Sequence, residues 1–115
     1  MFAVGQCIIG QLTFKDGSPS FYWRPYLVVD VNTMLREIKI LNISSVAGKE
    51  LKLHFPTNVP LLTSIPPLSK PSFVKVDSLQ TICFNRASGC ALLSNGIPIS
   101  KNDFENVLEK LKNQT

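Results

Sequence analysis

The chain is cut into short β-like runs by Gly, Pro and Asn, and only its end reads as helix. That punctuation limits the fold more than any other feature, because closely spaced short strands must pair locally into a small antiparallel structure. Residues 6–14 (Gln6 to Phe14) read as a first strand, and Lys15-Asp16-Gly17-Ser18-Pro19 as a turn. Residues 24–31 are rich in β-formers, with Pro25 confined to the strand's start or edge because it has no N–H to donate. Asn32-Thr33 marks the next turn. Residues 36–46 form a long strand candidate, broken at Ala47-Gly48-Lys49. In Leu51-Lys52-Leu53-His54-Phe55 the apolar residues alternate with polar ones, the period of a strand with one buried face.

Five of the eight prolines fall between residues 56 and 71, which predicts an irregular connection holding at most one short extended piece. Ser72 to Val76 and Leu79 to Phe84 read as two more strands joined near Asp77-Ser78. The chain then turns helical. Ser100 is a suitable N-cap, and Asp103 stands where a capping box carries its acid. Phe104, Val107, Leu108 and Leu111 follow at helical spacing as one apolar stripe for the core. The expectation is one mainly β domain over residues 1–115, a small antiparallel barrel or sandwich closed on itself to hide its edges, with a C-terminal helix.

The 115 residues suffice for one core, and 44% hydrophobic with 17% charged residues excludes a disordered chain. Twelve Lys and Arg oppose eight Asp and Glu; the tail from Lys101 holds three of each, so the excess lies in residues 1–100, with nine cations against five acids. Such an excess is compatible with polyanion binding. Cys7, Cys83 and Cys90 make no disulfide framework, and Cys7 and Cys83 sit in apolar runs as small buried hydrophobes. With one histidine there is no Cys/His zinc pattern. No secretion signal or membrane-spanning run is evident, so a cytoplasmic location is expected. The chain lacks a P-loop, a G-x-G-x-x-G and a G-x-S-x-G. His54, beside Lys52, shows no nucleophile elbow nearby.

What does stand out is Gly17-Ser18-Pro19-Ser20-Phe21-Tyr22-Trp23-Arg24-Pro25. A polar turn leads into aromatic residues, a cation, and then a buried-looking run. A guanidinium at such a junction suits an anion such as phosphate, and Phe21, Tyr22, Trp23 and Tyr26 are rings on which bases could stack. The alternatives are a solvated Arg at a strand end and rings that pack a core or a dimer interface.

Taken in order, these pieces resemble the MazF/PemK (Kid) toxins of bacterial toxin–antitoxin systems. Gly5-Gln6-Cys7-Ile8 is similar to that family's opening Gly-Asp-hydrophobic motif, with Gln6 for Asp. Gly17-Ser18 followed by Arg24-Pro25-Tyr26-Leu27-Val28-Val29 resembles its loop and Arg-Pro strand. Asn42-Ile43-Ser44-Ser45 stands where the family carries Thr or Thr-Ser. Lys70 to Ile82 resembles the late strand pair ending in Arg-Thr-Ile, with Gln80 replacing that Arg, and the capped helix follows.

The resemblance implies an SH3-like barrel of the MazF/PemK/CcdB type that forms a homodimer and cleaves single-stranded RNA, with no metal or other cofactor. The ribose 2′-hydroxyl would attack the adjacent phosphate, giving a cyclic phosphate. An antitoxin protein is the implied partner, and no membrane. It gives Arg24, Ser44, Lys75 and Asp77 as the catalytic set: Arg24 and Ser44 stabilising phosphate charge, Asp77 accepting the 2′-OH proton, and Lys75 or Arg24 donating toward the leaving oxygen. Ser18, Tyr22, Trp23, Ser45, Lys49, Lys52 and His54 are the expected RNA-binding residues. Pro19-Ser20-Phe21-Tyr22, bulkier than the family's loop, bears on cleavage specificity. A catalytically degenerate barrel that holds RNA or a protein partner without cutting is the competing expectation.

Overall fold

The computed structural model describes residues 2–12 and 22–113. Within them six strands form one antiparallel sheet: β1 (Cys7–Gly10), β2 (Arg24–Asn32), β3 (Glu37–Ser45), β4 (Asn58–Pro60), β5 (Ser72–Cys83) and β6 (Ala91–Leu92), in the order β4-β5-β3-β2-β1-β6. A four-residue helix α1 (Phe84–Ala87) follows β5, and α2 (Lys101–Lys112) ends the described chain. The mainly β class with a C-terminal helix is therefore as expected.

The sheet is not closed among the described residues, contrary to the sequence expectation. Its edges are guarded in another way. β4 has three residues, one of them Pro60, and β6 has two. Short edges offer little unpaired backbone, so closure is not needed to hide them.

The central strands are buried on both sides. Tyr26, Leu27, Val28 and Val29 are consecutive and all buried. On one face, Cys7, Leu27, Leu41, Ile43, Val74 and Val76 pack with Val107 of α2. On the other, Ile8, Tyr26, Val28, Ile38, Ile40 and Ile82 pack with Ala87, with Phe2, Phe84 and Cys90 partly covering them. A continuous apolar run in β2 thus reflects two cores rather than a missing alternation.

Several local expectations differ from the structure. The first strand ends at Gly10; its expected residues 13 and 14, and the turn at 15–19, lie outside the described residues. Residues 51–55 are not a strand but a 3₁₀ helix, Glu50–His54, with Leu51 81% and Phe55 51% exposed. Five alternating residues also fit a tight helix when no second strand is there to pair with them. Residues 72–83 are one strand rather than two. The register steps from Asn42↔Lys75 to Ile40↔Gln80, so Val76 to Leu79 bulge out. Ser78 fills the bulge: its Oγ accepts from the Asn42 N–H (2.8 Å) and donates to the Lys75 carbonyl (2.6 Å). Cys83 is exposed, not buried, at the end of that strand; Cys7 is buried.

Helix α2 begins as predicted, with Ser100 Oγ accepting from the Asp103 N–H (3.1 Å). The reciprocal half of the capping box is not made. Ser64 stands between: its Oγ donates to Asp103 Oδ2 (2.6 Å) and accepts from the Ser100 N–H (3.0 Å). The Thr63 N–H also points to Asp103 Oδ2, at 3.3 Å. Asp103 and Val107 form the buried line of the helix, Phe104 and Leu111 flank it, and Leu108 is 41% exposed, outside the expected stripe.

Candidate nucleic-acid interface

Arg24 opens β2 and Ser44 lies near the end of β3. The β2–β3 ladder pairs Tyr26 with Asn42 and Leu27 with Leu41. Continued by one more same-face pair, that register sets Arg24 opposite Ser44. Both side chains line a groove of roughly 310 Å³, together with Tyr22, Trp23, Ser45 and Lys49. Pro25, Ile43 and Lys70 complete its described walls. Residues from four separate parts of the sequence therefore meet at one end of the sheet.

A turn sets Lys49. β3 stops at Ser45, and Gly48 takes a left-handed φ of +75° that residues with a Cβ rarely adopt. The chain doubles back, with the Lys49 N–H on the Val46 carbonyl at 2.7 Å. Lys49 Nζ then donates to Ser44 Oγ at 2.9 Å. A hydroxyl that accepts from a lysine still has its own proton to donate, so Ser44 can offer an O–H to an anion in the groove.

Two exposed rings flank Arg24. Tyr22 is 69% and Trp23 56% exposed, and the Arg24 guanidinium lies 5.8 Å from the Tyr22 ring centroid. That is cation–π range. Tyr26 was a further stacking candidate, but it is 2% exposed and belongs to the core. Burial is the main influence on its hydroxyl and raises its pKa; the Arg24 charge acts in the opposite sense.

Lys75, opposite Asn42 in the sheet, does not line the groove but belongs to the same electrostatic cluster. Burial holds its pKa below the ordinary lysine value, and the charges of Lys52, Lys49 and Arg24 push the same way; Asp77 opposes them. Lys75, Lys52, Lys49 and Arg24 thus form one cluster of positive charge, two of them in the groove with Ser44, a concentration that favours a multiply charged anion.

Other expected residues stand apart. Asp77 is exposed on the β5 bulge and does not line the groove, though its charge reaches Lys75. Lys52 and His54 are exposed on the 3₁₀ helix; Lys52 adds to the charge at Lys75, and His54 does not line the groove. Ser18 and Phe21 lie outside the described residues. Lys70 was missed. It stands in the proline-rich connection just before β5, and only the pairing of Ser45 with Ser72 brings that connection to the groove. A cation at a strand opening opposite the end of a polar strand was its one sequence signal.

Among the described residues no three His, Cys, Asp or Glu side chains come together as a metal site, and no helix is long and apolar enough to cross a membrane.

No protein-family model matches the chain, and no curated protein matches it. Solved structures do. The crystal structure of a MazE–MazF complex (form III) from Deinococcus radiodurans matches with a TM-score of 0.64, covering 96% of this chain and 92% of that chain at 18% identity. The fold is MazF-like. At that identity the likeness speaks for architecture alone.

Proposed function

We propose that this MazF-like chain is a toxin-type endoribonuclease that cleaves single-stranded RNA without a metal, and that its groove receives the scissile phosphate. The observation that carries this is the convergence of Arg24, the Lys49–Ser44 pair and Lys70 on one groove flanked by two exposed rings. Attack by a ribose 2′-oxygen on the adjacent phosphorus builds negative charge on the non-bridging oxygens. Fixed donors aimed there lower the barrier. Arg24 supplies two N–H groups in a fork, and Ser44 an O–H held in place by Lys49. A guanidinium keeps its proton at ordinary pH. The proton of the 2′-hydroxyl therefore goes to Asp77, Lys75 gives a proton to the leaving 5′-oxygen, and Arg24 keeps its own and hydrogen-bonds the developing charge. Tyr22 and Trp23 stack bases. Lys52 and His54 extend the RNA path along the 3₁₀ helix, and Ser18 contributes from the segment before Tyr22. An antitoxin protein would inhibit by occupying the same groove, in a homodimer acting in the cytoplasm.

A second reading has a specific observation behind it. The one carboxylate proposed as base, Asp77, does not line the groove, and its charge acts on Lys75. A groove with cations and no adjoining base would bind RNA and leave it intact.

The test is cleavage of single-stranded RNA in EDTA by wild type, Arg24→Ala, Ser44→Ala and Asp77→Asn. Losing one charge-stabilising donor is expected to slow cleavage by about 10²–10³-fold. If wild type cuts no faster than Arg24→Ala, the catalytic reading is wrong. Salt-sensitive binding of intact RNA, weakened by Arg24→Ala, would then establish the second reading.

A further inference from the structure

The phosphate groove does not end at Arg24. Antiparallel register sets Ile9 beside Pro25, and the β2–β3 ladder extended by the same step sets Pro25 beside Ile43. These three make an apolar row on the α2 face of the sheet, the face opposite Arg24 and Ser44. The row floors a second cavity of roughly 350 Å³, walled by Leu68 and Leu93, with Ser69 at its rim. Pro25, Ile43, Ser45 and Lys70 line both this cavity and the groove. The groove therefore turns over the ends of β2 and β3 and continues into the cavity.

The walls are tied before anything binds. Ser94 Oγ donates to the Pro67 carbonyl (2.9 Å), joining the two segments that carry Leu68 and Leu93. Ser72 Oγ donates to the Lys70 carbonyl (3.0 Å), and the Leu68 N–H to the Ser64 carbonyl (3.0 Å). Preformed walls lower the ordering cost of a small, flat ligand.

We propose that this cavity is a nucleobase subsite, which takes the base of a nucleotide adjoining the phosphate held at Arg24 and so sets which sequences the groove accepts. The inference rests on the RNA reading above and deepens it. A base has apolar faces and polar edges; the cavity has an apolar floor and walls, with Ser45 and the exposed Ser69 among its lining residues. The sugar-phosphate linkage supplies the connection that the shared walls require, and Lys70 stands at the junction as a backbone counter-charge.

Two variants alter the cavity without touching Arg24, Ser44 or Lys49. Ser69→Trp places bulk at an exposed rim position, and Leu93→Ala widens the wall; thermal melts check that each is folded. Each is incubated with a random-sequence RNA pool, and product ends are sequenced. In parallel a 2′-O-methyl pool, which cannot be cut this way, is selected for binding. Both variants are expected to change the base preference at one and the same position by about tenfold, the size of effect that adding or removing an apolar group in a pocket produces. Arg24→Ala should lower cleavage or retention overall and leave the preference pattern as it was. If wild type acts on RNA and the patterns of wild type, Ser69→Trp and Leu93→Ala coincide at every position, the subsite is wrong while the groove's function stands. If wild type neither cuts nor retains RNA, both fall together.

Discussion

Lys75 is the residue whose protonation the fold resists most visibly. Half-buried and surrounded by Lys49, Lys52 and Arg24, it gives up its proton at lower pH in the folded chain than in the unfolded one. Between its lowered value and the ordinary 10.5, the unfolded state binds more protons, so stability rises with pH there. Cys7 acts in the opposite sense. Burial pushes its thiol from 9.0 up to about 12, so above pH 9 the unfolded chain ionises first and stability falls. Urea midpoints measured from pH 8 to 11 should therefore fall more steeply in Lys75→Met than in wild type, because the variant keeps the Cys7 loss and lacks the opposing Lys75 gain. An unchanged profile in that variant would remove Lys75 from the account. The same burial orders thiol reactivity. Exposed Cys83 should react with iodoacetamide first, Cys90, half-buried with its pKa also raised by burial, later, and Cys7 only on unfolding. Peptide mass spectrometry reads that order directly.

Among the elements, α2 was the most legible. Its cap and apolar spacing are local properties, and Ser100 and Val107 do what a helix of that pattern does. What the pattern does not contain is Ser64, some forty residues away, which takes the place of half the capping box. Asp103→Ala should cost about 3 kcal/mol in equilibrium urea unfolding, because it leaves the buried Ser64 hydroxyl and the Thr63 N–H without their acceptor. Asp103→Asn keeps an acceptor and should cost less. A loss under about 0.5 kcal/mol for the alanine variant, the level of an ordinary surface substitution, would mean that water replaces the carboxylate there. The 3₁₀ helix was misread because alternation over five residues has no partner strand to confirm it. β5 was expected as two strands because its side chains change faces half-way, which interrupts the alternation of a single strand. Glycine positions mattered for a tertiary reason: a Cβ on Gly10 would overlap Cys90 Sγ, a contact no local motif announces.

Across the whole molecule the cations matter as a field more than as separate contacts. Lys49 and Lys70 come to Arg24 from different parts of the chain, and Lys52 and Lys75 bear on the same region from outside the groove. For single strands each neutralised phosphate contributes about 0.7 to the slope of log affinity against log salt. Lys49→Ala and Lys70→Ala should each reduce that slope by about this amount for an RNA of mixed sequence, as fluorescence anisotropy at several salt concentrations would show. Equal slopes for wild type and both variants would place the RNA elsewhere. The pairing of Arg24 with Ser44 was partly visible in the order of motifs, while Lys70 required the sheet to be assembled first. The β5 bulge has a wider consequence. Val74 and Val76, even-numbered, point to the α2 core, whereas Ile82, also even-numbered, points to the opposite core. Ser78 thus sits at a phase inversion, where one strand exchanges its inside for its outside. Because of that inversion a single segment can lay Lys75 beside the groove at one end and seal the far core with Ile82 at the other. Inserting or deleting one residue between Val76 and Leu79 would turn Ile82 away from the far core while Lys75 kept its place, so the spacing of this bulge, more than the identity of its residues, holds the charged site and the second core in register.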